Sequence, residues 1–338
     1  MEQAAVIILN YNGAHFLKQF LPSVVQYSQG HRIIVADNGS TDSSLNLLRK
    51  HFPEVEIMAF DKNYGFAHGY DKALQQIENK YSILLNSDVE VTENWIEPVI
   101  RLMESDPLIA ACQPKIKDYF RKDYFEHAGA AGGFIDTLGY PFCRGRILSH
   151  IEKDNGQYDD SREIFWATGA CFFVRTHLYN ELGGFDASLQ AHMEEIDLCW
   201  RMHKVGYKIL YSPDSIVYHV GGGTMPATNP RKTYLNFRNS TVVLYKNARS
   251  NGLWSRVITK LTLDLLAACM FLGKGKFQDS RAVFTSVIHF FIYYKHWKAG
   301  RAQTQSFPGK GEISTIYSGI IVLDYYILGK KYFGEFRL

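Results

Sequence analysis

The stretch Tyr81-Ser-Ile-Leu-Leu-Asn-Ser-Asp88 decides the reading of this chain. Ile83 to Leu85 form a short apolar strand that delivers Asn86 and Asp88 to its carboxyl end, the edge at which open α/β sheets bind ligands. Residues two apart on an extended segment point the same way, so Asn86 and Asp88 can converge on one bound group. A carboxylate there suits a hard divalent cation that holds phosphate oxygens. Asn, Ser and Asp are also good helix caps, so the motif alone fits equally an Asp88 that starts the next helix.

Working outward, Ala4-Ala-Val-Ile-Ile-Leu9 is β-branched and fully apolar, as a buried parallel strand should be. Asn10-Tyr-Asn-Gly13 breaks it, and a helical stretch from His15 to Tyr27 follows. A second strand, Arg32-Ile-Ile-Val-Ala36, runs into Asp37-Asn-Gly-Ser-Thr-Asp42. A helix through Leu45, Leu47 and Leu48 and a third strand, Val55 to Phe60, complete the unit. Alternation of strand and helix predicts an α/β fold with a doubly wound sheet and right-handed crossovers. The first strand–helix turn lacks GxGxxG, which argues against a dinucleotide-binding enzyme.

These segments together resemble the inverting family-2 glycosyltransferases of the GT-A fold, in particular the branch that contains rhamnosyltransferases of bacterial surface polysaccharides. The similarity rests on Val6-Ile-Ile-Leu-Asn-Tyr-Asn12, Asp37-Asn-Gly-Ser-Thr-Asp42, Asn63-Tyr-Gly-Phe-Ala67 and Leu84-Leu-Asn-Ser-Asp88. It continues through Thr168-Gly-Ala170, Gly183-Gly-Phe-Asp186, Glu194-Glu-Ile-Asp-Leu-Cys199, and His219 with Gly221-Gly-Gly-Thr224. Each piece is weak by itself; their order and spacing are strong. The resemblance spans roughly residues 1 to 225. It implies a GT-A catalytic domain there and leaves 226–338 as a mainly helical C-terminal region.

The 338 residues carry a net charge of only +3, but the balance is uneven. Residues 225–338 hold 17 Lys/Arg against 5 Asp/Glu, and the rest 20 against 29. A basic tail suits nucleic acid, an anionic membrane or a solvated helical face. Three short apolar segments tip the reading: Leu261–Gly273, Val283–Tyr294 and Thr315–Leu328, aromatic-rich and flanked by Lys and Arg. None reaches the ~18 apolar residues of a confident membrane span. Helices lying in a membrane interface fit them, as do ordinary packing helices. The interfacial reading predicts a peripheral protein on the inner face of the plasma membrane, with no nucleic-acid partner. Cysteines 112, 143, 171, 199 and 269 are odd in number and without CxxC spacing, which fits a reducing cytoplasm and no zinc site. Met1-Glu-Gln has no basic n-region, so no signal peptide is expected.

Roles follow by residue. Asp88 is the expected metal ligand, and His219 the second. His219 ends the strand Ser215-Ile-Val-Tyr-His219 beside a triglycine whose backbone can approach a diphosphate, which brings in Gly222 and Thr224. Imidazole suits Mn²⁺ better than Mg²⁺, though either fits. The resemblance implies that Asp37 accepts hydrogen bonds from the nucleotide base. It places Asn10, Asn63, Gly65 and Asn86 along the donor, and Thr168 and Gly169 beside the acceptor. Trp166 fits either a sugar-stacking platform or a core Trp. The family puts its general base at the second acidic position of Glu194-Glu195, usually Asp; here it is Glu195, with Glu194 as the alternative. Asp197 and Arg201, four apart, should pair on one helix. Asp42 reads as a helix-start charge, and the role of Asp71 is open because Gly69-Tyr-Asp71 departs from the family pattern. The expected enzyme is a metal-dependent inverting transferase that moves a sugar from a nucleotide-diphosphate sugar to a glycan or lipid-linked acceptor. A nucleotidyltransferase or a non-catalytic nucleotide-sugar-binding scaffold is the alternative.

Overall fold

The computed structural model describes residues 4–221, 229–309 and 313–338. The first half alternates: β1 (Ala4–Asn10), α1 (Ala14–Tyr27), β2 (Arg32–Asp37), α2 (Ser44–His51), β3 (Glu56–Ala59), α3 (Phe66–Leu74), β4 (Tyr81–Asn86), β5 (Val89–Val91), α4 (Glu97–Ser105) and β6 (Ile109–Asp118). Four short strands follow: β7 (Gly133–Asp136), β8 (Pro141–Cys143), β9 (Arg146–Ile147) and β10 (His150–Ile151). Then come β11 (Arg162–Ile164), β12 (Cys171–Arg175), α5 (Thr176–Glu181), α6 (Glu194–Lys204) and β13 (Lys208–His219). The rest is helical apart from one short strand: α7 (Pro230–Asn247), α8 (Leu253–Gly273), α9 (Phe277–Ile292), α10 (Tyr294–Gln305), β14 (Ile316–Tyr317) and α11 (Ile321–Tyr326).

The main sheet runs β11-β13-β6-β12-β4-β1-β2-β3, with β5 paired to β13. β3, β2, β1 and β4 are parallel, as the strand–helix alternation predicts. β12 then enters antiparallel between β4 and β6, so the sheet is mixed rather than wholly doubly wound. Strand direction is a long-range property that the apolar run Cys171-Phe-Phe-Val174 does not encode.

Side-chain alternation makes three layers. Ala4, Val6 and Ile8 of β1 pack with Leu17, Leu21 and Val24 of α1, Leu48 of α2 and Val99 of α4. Ala5 and Ile7 face the other way, among Ala67 and Tyr70 of α3 and Ile196 and Leu198 of α6. A strand buried on both faces is therefore apolar at every position, which is why β1 reads as an unbroken run.

A second sheet, β10-β9-β8-β7-β14, lies apart from the first. Its last strand comes from the tail, where Ile316 and Tyr317 pair in parallel with Ile135 and Asp136. Phe333 packs on Phe134 and Phe142, and Phe336 on Phe142 and Tyr317. Leu244, Val257, Phe290 and Phe336 belong to the same contiguous core as Ile7 and Leu84. The helical region is built onto the half that carries the main sheet.

Trp166 follows the core reading. It is 4% exposed, and its indole N–H donates to Phe134 O at 3.0 Å. A Cβ on Gly133 would lie 2.1 Å from that indole. A sugar has no open ring face to stack on, because the indole stacks over the Gly133 backbone. Gly133→Ala is therefore expected to cost roughly 3 kcal/mol of stability through overpacking. A denaturation midpoint within error of wild type would contradict this contact.

Candidate active site

Register brings the strand ends together. Leu9 pairs with Asn86 and Asn10 with Asp37, so β4, β1 and β2 end side by side. The β1 and β2 turns are knitted by their own polar residues. Asn10 Nδ2 donates to Asp37 Oδ2 at 3.0 Å and to Ser40 Oγ at 3.2 Å. Ser40 N–H donates to Asp37 Oδ1 at 2.9 Å, and Thr41 N–H to Asn12 Oδ1 at 2.8 Å. Asp42 accepts from Ser44 N–H at the start of α2 and from Ala14 N–H at the start of α1, as its helix-start reading expects. Asp37 is buried, and each of its oxygens already accepts one bond within the loop.

Asn38, which the sequence reading passed over, pins the neighbouring loop. Its side chain donates to Asn63 Oδ1 and Gly65 O and accepts from Tyr64 N–H. Asn63 Oδ1 also takes Gly65 N–H at 2.7 Å, and Gly65 has φ +79°, a conformation that glycine adopts without strain. Asp71 has a structural post. It accepts from Tyr179 OH at 2.6 Å and Phe185 N–H at 2.9 Å, tying α3 to the turn before α6.

Asp88 caps no helix: β5 begins at the next residue. Val89 pairs with His219, and Val220 N–H donates to Asp88 O, so β5 places Asp88 against the end of β13. His219 Nε2 lies 3.2 Å from Asp88 Oδ1, and its Nδ1 lies 3.5 Å from Glu126 Oε2. All three are buried. Burial alone would depress the His219 imidazole; Glu126 and Asp88 override it and hold it up at about 10. Glu126 sat outside the recognised motifs, and no spacing rule could have found it. Gly221, at φ +71°, lies against its carboxylate, where a Cβ would sit 2.8 Å from Oε1. Gly222 and Thr224 lie outside the described residues. Among the described residues no cluster of three or more His, Cys, Asp or Glu forms a complete cation cage. The donor set fits a cation completed by phosphate oxygens once the cation displaces the His219 proton: a carboxylate and an imidazole nitrogen converge, and Glu126 lies 3.5 Å beyond the far ring nitrogen.

Glu195 stands on the first turn of α6, with Glu194 before it. A carboxylate oxygen of each is buried without a hydrogen-bond partner. Burial pushes Glu195 up to about 7, with backbone N–H groups, including that of Gly169, opposing the rise. Glu194 is raised well above the normal range, first by burial and then by the charge of Glu195. The two thus separate into a neutral Glu194 and a Glu195 poised near neutrality. The Thr168–Gly169 turn bridges the two halves of the site. Gly169 N–H faces Glu195, while Ala170 O accepts Asn86 N–H at 3.0 Å at the β4 end. Thr168 is itself held by Gln113, whose Oε1 accepts its N–H at 3.0 Å.

The segment entering α6 is strained. Gln190, His192 and Met193 have φ of 66°, 67° and 74°. Asn239 of α7 clamps it: the Nδ2 donates to Leu189 O, Ala191 O and His192 O at 2.9, 2.8 and 2.8 Å. Arg238 donates to Ser188 O and Leu189 O, and its Nε donates to Asn239 Oδ1 at 2.8 Å. Asp197 and Arg201 form the expected pair at 3.0 Å, but buried, with Lys246 of α7 at 3.1 Å from Asp197. The helical region therefore sets the position of the Glu195 turn. Asn239→Ala is expected to lower turnover about 10–100-fold with donor KM unchanged, since small misplacements of a reacting group have effects of that size. Unchanged kcat would show that the turn holds without it.

The Glycosyl transferase family 2 profile matches residues 5–183, over half of the chain, and the protein belongs to that family. It is a glycosyltransferase that works from nucleotide sugars. Among characterised relatives, it is 24% identical over 268 residues to the N-acetylglucosaminyl-diphospho-decaprenol L-rhamnosyltransferase of Mycobacterium tuberculosis, covering 74% of this chain and 85% of that one. It is 22% identical over 215 residues to rhamnosyltransferase WbbL of Escherichia coli K12, covering 62% and 80%. Its fold is shared with S. aureus TarS 1-349 in complex with UDP-GlcNAc, at TM-score 0.57 and 13% identity over 90% of this chain and 88% of that one. GalNAc-T7, solved with UDP, GalNAc and Mn²⁺, superposes at TM-score 0.55 and 18% identity over 73% of this chain and 48% of that one.

Proposed function

We propose that this protein is an inverting, metal-dependent glycosyltransferase that extends a lipid-linked glycan in cell-surface polysaccharide synthesis, with a rhamnose-type donor sugar as the first candidate. The observation that carries the reading is the Gly169–Ala170 turn, which links the strand edge of Asp88 and His219 to Glu195, a carboxylate poised near pH 7.

Asp88 and His219 would hold Mn²⁺ or Mg²⁺, which supplies charge stabilisation for the departing diphosphate. Glu126, 3.5 Å from the far ring nitrogen, would orient the imidazole for that task. Asn10, Asp37, Asn63, Gly65 and Asn86 line the strand ends where the nucleotide would lie. Glu195 accepts the proton of an acceptor hydroxyl as that oxygen attacks the anomeric carbon from the face opposite the leaving group. One displacement inverts the centre and needs no covalent glycosyl-enzyme. Glu194, kept neutral, adds no second negative charge beside the attacking oxygen. A lipid-linked acceptor would bring the enzyme to the inner face of the plasma membrane. The relatives' substrates and the basic charge of residues 225–338 support that placement.

The test is nucleotide release from dTDP-, UDP- and GDP-sugars with Mn²⁺, with and without a polyprenyl-diphospho-sugar acceptor. Acceptor-dependent release with an inverted anomeric product is the expected result. Pyrophosphate formation from a nucleotide triphosphate would favour a nucleotidyltransferase, and binding without release a scaffold.

A further inference from the structure

The helical region carries an outer surface unlike the rest of the molecule. Among the described residues up to 221 the exposed large hydrophobic side chains are Tyr11, Leu108 and Phe120, scattered singly. On α8 and α9 they form stripes at helical spacing. Trp254, Ile258, Leu266 and Met270 run along α8, and Phe277, Phe284, Ile288 and Ile292 along α9. Exposure reaches 60% at Ile258, 68% at Phe277 and 64% at Ile292.

Each helix buries a different stripe: Val257, Leu261 and Ala268 on α8, Val283, Ser286 and Phe290 on α9. Both helices pack against α7 as well as each other, so the outer stripes are surplus to core formation. Patches of this kind mark interaction sites.

Charge identifies the occupant. Residues 249–309 contain nine Lys/Arg and two carboxylates. Neither carboxylate faces out freely: Asp264 is 1% exposed, and half-buried Asp279 accepts from Thr233 Oγ1 at 2.6 Å. Lys274 and Lys276 sit exposed in the α8–α9 turn, and Arg281 and Lys295 flank the α9 stripe. A protein partner would ordinarily be met by mixed charge. An apolar face rimmed by bases alone matches an anionic bilayer, with the stripes among the acyl chains and the bases at headgroup level. Among the described residues no helix is long and apolar enough to cross a membrane.

We propose that the α8–α9 hairpin docks on anionic lipid through this face, seating the two helices in the interface plane. The inference names the surface behind the membrane placement of the proposed function. It does not depend on which sugar is transferred.

The protein supplies its own probe. Cys269 is exposed on α8 next to Met270, and the other four cysteines are buried. An environment-sensitive fluorophore on Cys269 of the full chain should shift to the blue with phosphatidylglycerol vesicles and not with phosphatidylcholine vesicles. High salt should weaken binding only in part, because salt screens the bases and not the apolar insertion. The triple variant Ile258→Gln, Leu266→Gln, Ile288→Gln should lose vesicle partition by about tenfold or more, since each removes a side chain worth a sizeable transfer energy. Phe120→Gln, on the catalytic half, should partition as wild type. The triple variant should still release nucleotide with a water-soluble acceptor, so loss of docking and failure of the catalytic reading are separable. Wild type that ignores phosphatidylglycerol vesicles, or a triple variant that binds them as wild type does, would overturn the proposal. So would a wild-type dimer that the triple variant converts to monomer without any lipid response, which would assign the face to a second copy of the chain.

Discussion

Glu195→Gln is expected to keep donor binding and lose about 10²–10⁴-fold in turnover, the usual contribution of a general base. Glutamine preserves shape and removes the proton acceptor. The wild-type rate should fall on the acid side of about pH 7, where Glu195 becomes protonated, and the variant should lack that limb. Stability gives an independent sign. A carboxyl group raised from 4.5 to about 7 binds more protons folded than unfolded between those values. Its contribution therefore makes the fold less stable as pH rises through that window, and the loss is complete above 7. The Gln variant should be the more stable protein at pH 8, by up to about 3 kcal/mol. Glu194→Gln should be mild on both counts, because Glu194 is held neutral already. An inactive Glu194→Gln beside a near-normal Glu195→Gln would move the base by one residue.

Asp88→Ala is expected to lower transfer about 10²–10³-fold, matching the several kcal/mol that a Lewis-acid cation contributes to charge stabilisation. Donor affinity should fall in the presence of Mn²⁺ and change little with EDTA. Glu126→Gln tests the same centre one step out. It should weaken metal affinity about 10–100-fold while leaving the metal-saturated rate within reach of wild type. Isothermal titration of Mn²⁺ separates these effects. Wild-type activity that survives EDTA would remove the cation from the mechanism.

The parts of the site legible in the sequence were those carried by local pattern. Unbroken apolar runs named β1, β2 and β4, and strand ends named Asn10, Asp37, Asn86 and Asp88. The Glu194–Lys204 helix was visible from its acidic start and Gly206 stop. Illegible parts depended on contacts across long sequence distance. Glu126 meets His219 because β13 lies beside β6, and Asn239 reaches the Glu195 turn from a helix four dozen residues on. Trp166 could not be assigned without Gly133 beneath it. Of the three apolar segments, Leu261–Gly273 and Val283–Tyr294 fall on α8 and α9, whereas Thr315–Leu328 supplies strand β14 and buries Tyr317 and Ile321 in the core. That pairing, and the hold of α7 on the Glu195 turn, depend on contacts that composition does not carry.

The pairing of β14 with β7 has a consequence for how the protein is made. Ile316 joins Ile135 and Phe333 joins Phe134, so the second sheet is closed by residues made long after its other strands. Until then Phe134 and Phe142 lack their cover, and the nascent chain must carry an unfinished core through most of its synthesis. A chain cut before residue 313 would therefore hold Asp88, Glu195 and His219 but leave Phe134 and Phe142 without that cover. Residues 313–338 are thus a late cover for a core that is encoded long before them.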